Sequence, residues 1–241
     1  MARPLPWSYS ALNKFTTCPH QYYETKVLKN FIDAPGEAAI WGTYVHKQIE
    51  DLVVEGKTLP DNCQVYRDQV VNTIFERIRP MNTLEETDIQ ILAEVKLALD
   101  TKVEPADWSD RWGGCIIDLL KIERDVAACY DWKTGKVKPS TQLKLNALFV
   151  FYHYPQVNTV HTSFEWLNKS VPEWRPNTRD TFTRDQMPAM WNSFMGDLKQ
   201  YSQAFRTDTW QKRPSGLCKN HCPVTSCGHN GQYSGRNLKN I

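Results

Sequence analysis

The chain has 241 residues, 41% of them hydrophobic, and a formal net charge of +2. This length suffices for one substantial domain, and because no apolar run can span a bilayer, we expect a soluble protein. The small net charge excludes a global basic field, so any contacts with nucleic acid are expected to be local.

Seven cysteines, an odd number at uneven spacing, argue against a secreted disulfide framework. The N-terminal residues also lack the apolar core of a signal peptide. We therefore expect a cytoplasmic protein (in the host cytoplasm, if the protein is viral) and a possible metal site.

Hydrophobic periodicity, capping residues and prolines predict the secondary structure. The sequence predicts, in chain order, a helix capped by Ser8 or Ser10 and ending near Cys18, a helix from Ala38 to Glu55, a helix from Cys63 to Arg79, a strand from Ile89 to Asp100, a β-hairpin, a helix from Gln142 to His153 that Ser140 or Thr141 caps, a strand from Val157 to Leu167, a turn or long loop from Lys169 to Arg179, a helix from a capping box at Thr183 to about Phe205, and a basic tail after Gly231.

The predicted hairpin has one arm from Cys115 to Ile122 and another from Val126 to Lys133. Asp118 lies inside an apolar arm, where a carboxylate is costly unless a cationic group meets it. Because side chains alternate along a strand, Asp131 and Lys133 project to one face and Trp132 to the other. Two carboxylates and an ammonium near paired strand ends can hold a divalent metal beside a lysine that stabilises a developing anion.

Three cysteines, Cys218, Cys222 and Cys227, fall within ten residues in a polar segment that also contains Pro and Gly. The segment has too few apolar neighbours for a buried core, so the spacing predicts a metal site. Four thiolates suit a [4Fe–4S] cluster or structural zinc. For zinc, the candidates for a fourth ligand include His20, His221 and His229.

Several motifs together resemble the PD-(D/E)XK nucleases, and most of all their RecB-like exonuclease branch. That branch includes nuclease domains of bacterial recombination exonucleases and the iron–sulfur exonucleases of CRISPR adaptation, with phage relatives. The matching pieces, in the family's order over nearly the whole chain, are a helix ending in Cys18-Pro19, G-x-x-x-H ending at His46, an acidic strand residue at Glu94, G-x-x-x-D ending at Asp118, D-x-K-T-G starting at Asp131, a helix starting at Gln142, and the late cysteines.

The chain departs from the family pattern at two places. Asn146 stands where the family's Q-x-x-x-Y signature has its tyrosine, so a stacking ring is missing there. Three residues, instead of two, separate Cys218 from Cys222, which keeps zinc open as the alternative to iron and sulfur.

The resemblance implies a single α/β domain with a restriction-endonuclease-like core, in which helices flank a mixed central β-sheet. A metal would staple the C-terminal segment to the first helix. The implied parts are a helical N-terminal part with the first strand (1–110), the catalytic hairpin and glutamine helix (111–155), a further strand and long helix (156–210), and the cysteine cluster with the tail (211–241).

The resemblance also implies a metal-dependent DNA exonuclease acting at DNA ends, with single strands as the expected substrate, in recombination, repair or replication. Its partners would be DNA and possible recombination or replication proteins. The implied site residues are Asp118, Asp131, Lys133 and Gln142 for catalysis, His46, Asp118, Asp131 and the carbonyl of Trp132 for Mg²⁺ or Mn²⁺, and Cys18, Cys218, Cys222 and Cys227 for the cluster. Glu94 either helps to bind metal or is a solvated charge, and Lys136 and Lys138 are candidates for phosphate contacts.

Two other functions compete with this interpretation. One is a non-catalytic nucleic-acid-binding or assembly module that keeps the fold and the iron–sulfur or zinc site. The other is a zinc-stabilised regulatory protein in which the D-x-K motif is accidental. The complete set of two acids and a lysine favours the nuclease.

Overall fold

The structure is a computed structural model that describes residues 5–72, 89–135, 141–167 and 179–233. The chain divides into two compact units. Residues 1–34 and 193–241 form unit 1, and residues 35–192 form unit 2. Among the described residues, no helix combines the length and apolar character that crossing a membrane requires. The single-domain organisation stays a prediction.

Unit 2 is built on a five-stranded mixed sheet whose strands lie in sequence order. Strands β3 and β4 are parallel, and every other neighbouring pair is antiparallel. The strands are β1 (Ile89–Leu99), β2 (Gly113–Glu123), β3 (Val126–Lys133), β4 (Thr159–Trp166) and β5 (Arg179–Thr183). Together with the helices that flank it, this sheet confirms the expected restriction-endonuclease-like α/β class.

The predicted hairpin is present as β2 and β3. Arg124 and Asp125 form its two-residue turn, and Arg124 has a left-handed φ of 54°. Gly114, near the start of β2, lies against a tryptophan. A Cβ at this position would come within 2.8 Å of the Trp108 ring, so the close packing requires glycine.

Helix α5 (Gln142–His153) connects the parallel strands β3 and β4, a connection that needs a crossover. Its middle is buried, as expected for a helix that is apolar nearly all round. The expected side-chain cap is wrong for Thr141, which makes no capping hydrogen bond. Ser140, the other candidate, lies outside the described residues.

Helix α3 (Glu37–Glu55) covers part of the sheet. Val45 and Ile49 of this helix belong to the same buried cluster as Leu119, Tyr130 and Trp132 of the hairpin. The helix ends at Gly56, whose left-handed φ of 68° suits glycine at the end of a helix. Trp132 therefore projects into the core, opposite the side of β3 that carries Asp131.

Two predicted elements of unit 2 need correction. The helix expected from Cys63 begins as a 3₁₀ segment (Asp61–Tyr66) and becomes α4 at Arg67–Asn72, because the chain closes a tighter turn after Pro60. Its expected continuation to Arg79 lies outside the described residues. Strand β5 was not predicted, since Phe182 is its only large apolar residue and the segment was taken for the end of a loop. The rest of that loop is likewise outside the described residues.

The capping box at Thr183 is confirmed. The side chains of Thr183 and Gln186 each accept from the other's backbone N–H, at the start of a 3₁₀ turn (Arg184–Gln186). Helix α6 (Met187–Thr207) follows this turn.

Unit 1 contains α1 (Tyr9–Thr17), α2 (Pro19–Tyr22), a π-helical turn (Tyr23–Val27), the larger part of α6, and α7 (Leu217–Asn220). Ser8 caps α1 by accepting a hydrogen bond from the Ala11 N–H at 3.3 Å. The core of the unit is aromatic. Its rings, in edge and stacked contacts, are those of Phe15, Tyr22, Tyr23, Tyr201, Phe205 and Trp210. The hydroxyls of Tyr22 and Tyr201 share a hydrogen bond of 2.8 Å.

Candidate active site

Three carboxylates occupy neighbouring strands at one level of the sheet in unit 2. Glu94 of β1 and Asp118 of β2 lie between ladder pairs that keep the same register on both sides. Asp118 and Asp131 lie one residue beyond the last ladder pair of β2 and β3. The register therefore aligns Glu94, Asp118 and Asp131 across the sheet, although they are far apart in sequence.

Glu94 has an unusual backbone conformation for a strand residue. Its φ is 50°, in the left-handed region, where a residue with a Cβ is strained. Such strain is kept where the surrounding structure enforces it, often at a functional site. The sequence gave no signal of this conformation, and it left the role of Glu94 open.

His46 of α3 approaches Asp118 from outside the sheet. Its Nδ1 lies 3.2 Å from Asp118 Oδ2, and the backbone N–H of Trp132 donates to the same oxygen at 2.7 Å. Gly42, one turn before His46, is close to the segment after β3. A Cβ there would lie 3.1 Å from Thr134 Oγ1, so glycine lets the helix approach the hairpin.

His46, Glu94 and Asp118 form a candidate metal site. Each offers one ligand atom, and these atoms all lie within 4.8 Å of one another. Imidazole and carboxylate form a mixed nitrogen and oxygen set, which suits a divalent ion such as Mn²⁺. The donor set therefore fits the ion that the sequence predicted, with Glu94 as an additional ligand candidate.

Both oxygens of Asp131 have a partner. Lys133 Nζ forms an ion pair with Oδ1, and Gln142 Nε2 donates to Oδ2 at 2.5 Å. Lys133 Nζ also lies 4.9 Å from the centre of the Phe164 ring. The amide of Gln142, the first residue of α5, and the ammonium of Lys133 thus fix the orientation of a carboxylate that is only 3% exposed.

The site concentrates negative charge in a buried place. Burial, and then the charge of Asp118, raises the pKa of Asp131, although Lys133 opposes the effect. Burial and the charges of Asp118 and Glu50 raise the pKa of Glu94. Burial alone would lower the pKa of His46, but Asp118 and Asp131 raise it overall. A cation would relieve this repulsion, which is the electrostatic signature of a metal site.

The structure brings His46, Asp118, Asp131, Lys133 and Gln142 into one site. The direct contact between Gln142 and Asp131 was not predicted, because a contact between a strand and the following helix depends on the crossover. Other candidates fall elsewhere: Asn146 is buried and its amide has no hydrogen-bond partner among the described residues, whereas Lys136 and Lys138 are outside them.

Unit 1 contains a separate candidate metal centre. Cys18 lies between α1 and α2, and Cys218 lies in α7. One cavity is lined, among other residues, by Cys18, Cys218, Cys222, Cys227, His20 and His229. The structure thus places together the early cysteine and the three late ones.

The cysteine segment is held by hydrogen bonds within unit 1. Arg213 donates to the Thr16 carbonyl at 2.6 Å, and the His20 N–H donates to the Gln211 carbonyl at 3.1 Å. Burial and the neighbouring thiols Cys218 and Cys18 raise the pKa of Cys222, partly offset by hydrogen bonds. The C-terminal segment therefore packs on the first helix as expected, whereas its stapling by a metal stays a prediction.

Comparison with known proteins gives a consistent picture. The family model of the PD-(D/E)XK nuclease superfamily matches residues 6–227. A crystal structure of a presumed exonuclease from Eubacterium rectale is similar with a TM-score of 0.54 and 12% sequence identity, over 98% of this chain and 90% of that chain. At this identity the likeness shows the fold alone. None of the curated proteins compared matches this sequence.

Proposed function

The chain belongs to the PD-(D/E)XK nuclease superfamily, and from this membership we propose that it is a metal-dependent DNA exonuclease of the RecB-like branch. The observation that carries the proposal is the convergence of His46, Glu94 and Asp118 beside the contacts of Asp131 with Lys133 and Gln142. Action at DNA ends, and on single strands, rests on the resemblance of the ordered motifs to that branch.

His46, Glu94 and Asp118 would hold the divalent ion, and Asp131 is the further candidate beside them. The ion, when bound, polarises a phosphoryl oxygen and lowers the pKa of a bound water. The imidazole favours Mn²⁺ over Mg²⁺, because Mg²⁺ prefers a shell made of oxygen atoms. Ligation by the Trp132 carbonyl stays part of the proposal.

Lys133 and Gln142 would act on the substrate and on Asp131. The Lys133 ammonium stabilises the negative charge that grows on the scissile phosphate in the transition state. Gln142 holds Asp131 through Oδ2, so Oδ1 remains oriented towards Lys133. The pair keeps its geometry without solvent reorganisation during the reaction, which is how a preorganised polar site lowers a barrier.

We also propose that Cys18, Cys218, Cys222 and Cys227 bind a [4Fe–4S] cluster, as resemblance to the branch implies. Tetrahedral zinc with a Zn–S bond of about 2.3 Å keeps its sulfur ligands about 3.8 Å apart. Among the described residues, His46, Glu94 and Asp118 are the only such ligand group within 4.8 Å, so no three of these thiols are that close. The wider spacing favours a multi-iron cluster over one zinc ion. The Ser215 N–H, 3.4 Å from Cys218 Sγ, is the kind of donor that stabilises a cluster sulfur.

A digestion assay tests the proposed activity. End-labelled single-stranded and double-stranded DNA, and a circular single strand, are incubated with the protein in Mn²⁺, in Mg²⁺ and in EDTA. We expect stepwise shortening of linear single strands that depends on the metal, and no cutting of the circle. A protein that binds these DNAs but cleaves none in either metal is instead the non-catalytic module, and that result rejects the proposed enzyme.

A further inference from the structure

The two compact units carry opposite charge. Unit 1 has eleven Lys and Arg against four Asp and Glu, a net charge of +7, whereas unit 2 has eighteen against twenty-three, a net charge of −5. Counted on the described residues alone, the values are +4 and −6. The chain's total of +2 thus hides a basic unit and an acidic one.

The cations of unit 1 are free to meet a ligand. Six of its eight described cations are exposed and have no ion pair among the described residues: Lys26, Lys29, Lys199, Arg206, Lys212 and Lys219. Of the other two, Lys14 pairs with Asp33, and Arg213 donates to Thr16 and Gln200. Unpaired, solvated ammonium groups lose little on meeting a polyanion, because no protein contact has to be broken first.

The cations of unit 2 are more often committed to carboxylates. Lys47 pairs with Glu50 and Asp51, and Lys133 pairs with Asp131. The other cations paired with a carboxylate are Lys57, Arg67 and Lys121. A site that gathers three carboxylates for a metal repels the phosphates of its own substrate until a cation is bound, so attraction of that substrate needs another source.

We infer that unit 1 is the DNA-binding part of the protein and holds the sugar–phosphate backbone through its exposed lysines, Lys26 and Lys212 among them. The inference rests on the proposed function, which supplies DNA as the substrate. Binding of this kind is independent of sequence and weakens with salt, since it draws on the release of counterions from the phosphates.

The local field around two of these lysines supports the choice. Burial, and then the charge of Lys26, lowers the pKa of Lys14, and the charge of Lys212 adds to the burial that lowers the pKa of His20. Lys14 and His20 both lie within four residues of Cys18, so the positive field covers the region of the cysteine cavity. A second use for these charges is to balance thiolates of the proposed cluster, and the experiment has to separate the two uses.

The test measures binding without cleavage. A fluorescein-labelled 20-nucleotide oligo(dT) is titrated in EDTA, across 50 to 200 mM NaCl, with the anaerobically purified full-length protein. The variant is Lys26→Glu with Lys212→Glu. The matched control in unit 2 is Arg67→Glu with Lys102→Glu, which reverses the same number of exposed charges.

We expect the unit 1 variant to raise the Kd at least about tenfold and to flatten the salt dependence, by about 0.7 per lost phosphate contact on a single strand. The control should stay within about twofold of the parent. Iron content and melting temperature should match the parent in both. Equal weakening in the two variants, or unchanged binding with lost iron in the unit 1 variant, would overturn the inference.

Two further outcomes are decided in advance. If the unit 1 variant no longer folds, Lys26→Gln with Lys212→Gln replaces it, and unchanged binding in that milder variant counts against the inference. If the parent binds oligo(dT) but never cleaves it in Mn²⁺, the nuclease proposal fails while the DNA-binding unit stands. Normal cleavage with unchanged binding in the variant rejects only the DNA-binding unit.

Discussion

Gln142 Nε2 lies 2.5 Å from Asp131 Oδ2, so the first residue of α5 holds a carboxylate of β3 in place. The other oxygen of Asp131 is paired with Lys133. The helix that connects two parallel strands thereby begins in the site itself. Gln142 is in this account a positioning residue for Asp131.

Replacing Gln142 should weaken the site without unfolding it. Gln142→Ala removes the donor to Asp131, and losses of such supporting hydrogen bonds cost about 10–100-fold in activity or metal affinity. We expect this loss in kcat or in Mn²⁺ affinity measured by calorimetry. Gln203→Ala, at an exposed position of α6, is the control. An unchanged Mn²⁺ affinity and kcat in Gln142→Ala would contradict the positioning role.

Asp131→Asn should raise the stability of the metal-free protein at neutral pH. Because burial and Asp118 raise the folded-state pKa of Asp131, the ionised form opposes folding. That cost is absent below the unfolded pKa of Asp and is reached in full once the pH passes the folded pKa. We therefore expect the melting temperature of Asp131→Asn in EDTA to exceed the parent's at pH 8 and to converge with it at pH 4. A lower value at pH 8 would show that the ion pair with Lys133 outweighs burial.

Divalent metal should stabilise the parent through His46, Glu94 and Asp118. An ion at 100 times its Kd adds about 2.7 kcal/mol when it binds only the folded state. Glu94→Gln removes one charged ligand, so we expect a smaller rise in melting temperature on adding Mn²⁺. Glu104→Gln, an exposed change on a neighbouring loop, is the control. Equal rises in both variants would exclude Glu94 as a ligand.

The cysteine centre should contain iron. Protein purified without oxygen is expected to be brown and to contain iron and sulfide, and Cys222→Ser should lose both. Cys63→Ser, in the buried core of unit 2, should keep them. Zinc with no iron in the parent would favour the structural zinc site instead.

The sequence predicted what local pattern and spacing determine. The alternation around Asp131 predicted its face on β3, and the apolar composition of α5 predicted its burial. The contact of Gln142 with Asp131 and the left-handed backbone of Glu94 depend on pairing across the sheet, which no local pattern encodes. Strand β5 escaped because its pairing with β4 stabilises a segment that has little apolar alternation of its own.

The charge of the chain gave the least guidance. A net charge of +2 indicated no extended basic surface, because the sum was taken over two units of opposite sign. The division emerges only once the fold joins residues 1–34 to residues 193–241.

The most direct test of the central claim is single-turnover cleavage of an end-labelled single strand in Mn²⁺ by the parent, Lys133→Ala and Asp131→Ala. The account predicts cleavage by the parent and a loss of at least about 10²–10³-fold in each variant, comparable to removal of one preorganised charge-stabilising group. Circular dichroism and iron content should be unchanged. Cleavage at the parent's rate by both folded variants would contradict the account.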